Sequence, residues 1–172
     1  MRRWVGATAA AVAGALELTG CGVPAGGVIG VTVDATGAPQ IVVQMCEGHI
    51  DGATLYLPDP DADRQPPQDR TMGRWEASGP VTGFSQFSLD SGGNGWAVSG
   101  ELVGRAPGTR YTIYGWSRDS SWSAMHLEFS ERDLKQLHPG TVLVPSKDLA
   151  SEDNWTESVD DFKQKACDDW QF

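Results

Sequence analysis

Positive charge is scarce in this 172-residue chain: 13 Lys and Arg stand against 23 Asp and Glu, for a formal charge of −10. Phosphate backbones are gripped by clustered Lys and Arg, so the balance excludes the usual nucleic-acid surface. It equally excludes a polybasic hold on anionic lipid. Long apolar runs are missing after residue 20, so no second membrane span is read there. Cysteine is sparse, at three residues, and none sits with His or carboxylate at zinc-ligand spacing; the three histidines, His49, His126 and His138, are scattered. There is no Gly-x-Ser-x-Gly elbow for a hydrolase nucleophile and no glycine motif for phosphate. No metal or cofactor is expected.

What the chain does have begins at its start. Arg2 and Arg3 precede an Ala-rich apolar stretch from about residue 5 to 16, the layout of a secretory leader, too short and too weakly apolar to span a bilayer. The twin arginines lack a fuller Tat motif, so ordinary export is expected. Leu18, Thr19, Gly20 and Cys21 resemble the lipobox of bacterial lipoproteins. That resemblance implies a leader over residues 1–20, diacylglycerol on the Cys21 thiol, and acyl chains that hold the protein to the cell membrane on its extracytoplasmic side. Two acyl chains suffice for stable anchoring, at about 0.8 kcal/mol per buried methylene. Removing residues 1–20 takes Arg2, Arg3 and Glu17, which leaves 11 basic and 22 acidic side chains and a charge of −11. With Cys21 assigned to lipid, Cys46 and Cys167 are the expected disulfide in an oxidising compartment; the alternative is two separate buried thiols.

Residues 21–27 read as the lipidated cysteine and a flexible tether, and residues 28–172 as one extracytoplasmic domain. Residues 28–34 and 40–46 are β-branched and flank a turn-forming spacer, which predicts a hairpin. A third strand is expected over 52–57, then an exposed Pro- and Asp-rich loop over 58–70. From residue 81 the strand signal returns at 84–89, 96–103, 110–116 and 124–129, separated by turn residues. Alternation places Trp96, Val98 and Leu102 on one face of their strand, and Met125, Leu127 and Phe129 on one face of theirs. Ser130 and Asp133 predict a capped short helix to residue 137, ended by Pro139 and Gly140. Residues 141–144 read as an edge strand. A helix from about Asn154 carries the stripe Trp155, Val159, Phe162, Ala166 and Trp170, with Cys167 at its margin.

Short strands at regular spacing predict a mainly β fold, an antiparallel β-sandwich with a short helix and a C-terminal helix packed on the sheet. Pro107, Gly108, Thr109, Arg110, Tyr111 and Thr112 resemble the turn entering strand F of fibronectin type III modules, which implies an Ig-like sandwich and a tyrosine corner at Tyr111. Arg105 stands where those modules place an apolar residue. The lipobox, the two later cysteines and the Tyr114, Gly115, Trp116 strand together resemble lipoproteins of high-GC Gram-positive bacteria, which implies location only.

Several constellations offer chemistry. Asp59, Asp61 and Asp63 alternate like the start of a calcium loop, but Arg64 and Arg70 occupy the positions of the required Gly and bidentate Glu, so a solvated acidic loop is expected. His49 beside Asp51 has the form of an oriented base, against a plain strand-edge histidine. Glu101, Glu128 and Asp119 are among many acids from which a glycosidase pair could be drawn, and solvent-facing positions explain them as well. Tyr114 and Trp116 share a strand face, with Trp122 across the next turn. Exposed, they form a binding surface for an envelope glycan or protein; the favoured alternative puts them beneath the C-terminal helix as a second core. The expectation is a non-catalytic binding or structural module, with a carboxylate hydrolase of envelope glycan or peptide as the alternative.

Overall fold

The computed structural model describes residues 22–60, 68–146 and 153–170. The expected leader over residues 1–20, Cys21, Asp61, Asp63 and Arg64 lie outside the described residues. The chain folds into β1 (Ala25–Val33), β2 (Pro39–Met45), β3 (Ile50–Leu57), β4 (Arg70–Val81), β5 (Phe84–Ser88), β6 (Trp96–Val98), β7 (Arg110–Trp116), β8 (Ser123–Ser130), α1 (Glu131–Gln136), β9 (Thr141–Val144), β10 (Trp155–Ser158) and α2 (Val159–Asp169). It is therefore mainly β, with a short helix and a C-terminal helix.

The strands form one sheet in the order β10-β9-β1-β8-β7-β3-β4-β6, with β2 and then β5 added at the opposite edge of β1. The β1–β8 pair is parallel while the others are antiparallel. This corrects the wholly antiparallel sandwich to a mixed, nearly barrel-shaped sheet. Side-chain alternation reports which face is buried; it carries no information on strand direction or partner, so the parallel pair was invisible in it. The barrel's two ends, β5 and β6, are brought together by Phe87 stacked on Trp96 at 4.1 Å and by Trp96 Nε1 donating to Ser85 Oγ at 2.8 Å.

Inside the barrel lie Ile29, Val31, Ile41, Val43, Leu55, Trp75, Phe87, Ile113, Leu127 and Phe129. Leu134 and Leu137 join this core from α1 and the residue that ends it. Ser130 caps α1 in a reciprocal box with Asp133, as Ser-x-x-acid spacing predicts. On the outer face, Val28, Val42, Val142 and Val144 meet Phe162, Ala166 and Trp170 of the C-terminal segment. The predicted apolar stripe is thus real, but its first turn is not helical: Trp155 belongs to β10, which pairs with β9. Hence β9 is not an edge strand. Cys46, just after β2, and Cys167 of α2 form a disulfide with Cα atoms 5.4 Å apart, which fastens the helix to the β2 end.

Two further departures have local causes. β1 begins at Ala25, within the stretch read as tether, because Gly26 and Gly27 serve close approach: a Cβ on them would lie 2.4 Å from Glu47 O and 2.5 Å from Gln44 O. The strand expected over 96–103 ends its ladder at Val98. Gly100, at φ +98°, breaks the pleat, yet the chain keeps to β4 through Ser99 N–H to Arg74 O and Val103 N–H to Met72 O, both 2.8 Å.

The Tyr111 hydroxyl accepts the Ala106 N–H at 2.6 Å, the bond that defines a tyrosine corner. Arg105 beside it ties α1 to the turn after β5, reaching Glu131 at 2.5 Å and Asp90 at 3.0 Å. Those two acids explain a cation at that position: burial alone lowers the Arg105 pKa, and the bonds to Glu131 and Asp90 more than reverse it.

Candidate functional site

The outer face of β3, β4, β7 and β8 carries the sequence's aromatic cluster. Gly52 pairs with Trp116 and Thr54 with Tyr114, so both rings project over β3. Trp116 lies across bare Gly52, where a Cβ would fall 2.1 Å from the ring. Its Nε1 donates to Thr54 Oγ1 at 3.0 Å, and the Arg74 guanidinium covers it at 4.0 Å. Such a cation–π lid, together with β3 beneath, occupies the indole. Trp122 turns elsewhere, onto Gly48 and Gly26, while its backbone N–H and C=O are both held by Ser117 Oγ at 2.9 Å. Neither indole sits under α2, whose apolar partners are other residues. The second-core reading of Tyr114, Trp116 and Trp122 is therefore corrected; the valines of β1, β2 and β9 fill that role.

Tyr114 has a different setting. It meets Tyr56 edge to face, with ring centroids 5.9 Å apart and planes at 76°, and both line a groove of about 540 Å³. Thr54, Thr71, Asp69 and His126 supply the polar part of its wall, and Val23, Ala25, Ser123 and Met125 the side nearest the N-terminus. Two β-bulges border it. One shifts the β3–β4 register between Leu55 and Tyr56; the other shifts β7–β8 between Ile113 and Gly115, so that Met125 and His126 together face Tyr114. Bulges re-aim side chains and recur beside binding sites. Here the β8 bulge turns Met125 away from the phase of Leu127, against the alternation expected for that strand. Burial pushes the Tyr56 phenol above its usual pKa of 10.0; a bond with Thr112 opposes this, and the negative charges of Asp69 and Glu128 add to it. Tyr56 is thus a neutral hydrogen-bonding group at ordinary pH.

The His49–Asp51 pair is present but loose, with Nε2 3.5 Å from Oδ2. The better bond of buried Asp51 is from the Arg118 backbone N–H, at 2.9 Å, so its role is to pin the β7–β8 turn to the start of β3. Asp119, in that turn, accepts from the Ser121 hydroxyl and N–H at 2.6 and 3.0 Å. Those two bonds, with a further one from Ser117, hold its pKa at about 2, below the usual 3.8. A depressed carboxylate stabilises the folded turn above the unfolded pKa and loses that contribution as pH falls through the folded one. The Ser121 amide resonance should therefore titrate with a midpoint near 2, and Asp119→Asn should abolish the step. A midpoint at the ordinary aspartate value would refute the arrangement.

Glu101 and Glu128 are exposed, on the link after β6 and on β8, and Asp119 is made more acidic. All three are exposed, whereas the acid of a glycosidase pair must be desolvated. Asp59, the described member of the acidic alternation, donates its N–H to Asp69 Oδ1 at 3.0 Å and accepts the Gln68 N–H at 2.9 Å. Among the described residues no group of His, Cys, Asp and Glu gathers as metal ligands, and no helix is long and apolar enough to cross a membrane. Comparison with protein-family models, curated proteins and solved structures gives no match for this chain.

Proposed function

We propose that this is a membrane-anchored cell-envelope lipoprotein, lipidated on Cys21, whose β domain binds an envelope glycan or protein without catalysis. The observation that carries the reading is the Tyr56–Tyr114 groove, a concave site that combines half-buried ring surface with a few polar groups, the usual make-up of a recognition site. Its wall includes Val23 and Ala25, so the contact surface lies within a few residues of the proposed lipid. The acidic domain adds no charge attraction to the bilayer, which leaves the acyl chains as its anchor. The Tyr111–Ala106 bond supports an Ig-like affinity limited to that corner. The hydrolase alternative lacks support, because the candidate acids are exposed or acidified rather than desolvated.

A photo-crosslinking amino acid at Thr71, tested in intact native cells, should capture an envelope component, and Tyr114→Ala should abolish the capture. The same probe at Lys135, on α1, should yield none of that product. Cys21→Ser should remove fatty-acid labelling and release the protein from the membrane fraction. Equal capture at both positions would overturn the assignment of the surface; a labelled Cys21→Ser protein would overturn the anchor.

A further inference from the structure

We infer that the Tyr56–Tyr114 groove takes an uncharged oligosaccharide, an identification that rests on the binding reading above and names its ligand class. Sugars present C–H faces that lie on aromatic rings and hydroxyls that both donate and accept. The groove offers matching groups: two tyrosines in edge-to-face contact, the hydroxyls of Thr54 and Thr71, the Asp69 carboxylate and the His126 imidazole. Carboxylates accept from two sugar hydroxyls at once, and tyrosine brings large area at low entropic cost. Its volume of about 540 Å³ falls inside the range of about 300 to 1,000 Å³ typical of small-molecule sites.

Charge decides against the acidic glycans and phosphopolymers. Among the described residues no Lys or Arg lines the groove, while Asp69 and Glu128 are near enough to disfavour a further negative charge on Tyr56. An anion brought there would lose its hydration and meet like charge, which is the repulsive element of a specific site. Topology decides against an extended peptide. Among the described residues β3 is paired on both edges, by β4 and β7, and β7 by β3 and β8, so neither strand at the floor of the groove can accept an added strand.

Titration calorimetry and saturation-transfer NMR on the full protein, held in a non-glycoside uncharged detergent, test this with tetramers of N-acetylglucosamine, glucose and mannose, with tetragalacturonate and with choline. At least one neutral tetramer should bind saturably, tetragalacturonate and choline should not, and Tyr114→Ala should weaken binding about tenfold, the loss of one ring contact. Asp69→Asn keeps the Oδ1 that accepts the Asp59 N–H; it should weaken the neutral sugar severalfold and narrow the gap to tetragalacturonate, a change of preference that a merely structural aspartate would not produce. Binding of tetragalacturonate or choline in preference to every neutral tetramer overturns the inference, as does the absence of any sugar binding. Capture at Thr71 in cells without sugar binding leaves the binding module standing and removes the glycan; loss of both removes both.

Discussion

Replacing Cys46 and Cys167 together by Ser should lower unfolding free energy by about 4–5 kcal/mol at the upper bound, because the bond closes a loop of 121 residues and removes that closure entropy from the unfolded chain. The measured loss should fall somewhat below the bound, since the freed chain retains residual structure. Urea melts with and without reductant measure it: the midpoint should drop while the folded barrel persists in the absence of denaturant. The barrel core of Ile29, Leu55, Trp75 and Phe129 does not depend on α2. Amide protection should fall first in α2, an 11-residue helix too short to hold itself in water without its docked face. An unchanged midpoint on reduction would show that the bond constrains nothing the core does not already constrain.

That bond was legible because cysteine chemistry is a counting argument. Strand β4 was not legible, for a physical reason. Its inward residues are Met72, Trp75 and Ala77, a spacing of three and then two, since the bulge opposite Tyr56 shifts the phase inside the strand. Period-2 alternation is thereby broken, and Gly73, Gly79 and Pro80 add the punctuation of a loop. β10 was hidden in the opposite way: Trp155 falls on the helical stripe of α2 by spacing alone, and only its pairing with Val144 makes it a strand. The hairpin β1–β2, strand β7 and capped α1 were legible because each carries its own local chemistry.

The candidate site divides similarly. Tyr114 was found from its strand, and it lines the groove. Trp116 shared that strand face, but a sequence cannot reveal that Gly52 and Arg74 would enclose its ring. Tyr56, Asp69, Thr71 and His126 were missed because they come from three strands and a loop. Their convergence is set by register and by two bulges, which are tertiary facts. The local signal pointing there is Tyr56 near the end of a strand followed by a Pro- and Asp-rich loop, and it is weak.

The near-closure of the barrel rests on a seam that can be tested directly. Phe87 is fully buried, stacked on Trp96 at 4.1 Å and 5.9 Å from Trp75. Phe87→Ala should destabilise by about 3–5 kcal/mol, the usual cost of emptying a buried phenylalanine site. The loss should also be polarised. β5 is held by β2 on one side and by the Trp96 seam on the other, so amide protection should collapse in β5 and β6 before it falls in β3 and β7. Phe162→Ala supplies the contrast: that ring is equally buried but lies in the outer cluster with Val28 and Trp170. Its removal should loosen α2 while β5 and β6 keep their protection. Two variants with the same exchange pattern would mean that barrel and outer layer unfold as one unit, and that the Phe87–Trp96 contact is ordinary core packing rather than the closure of the sheet.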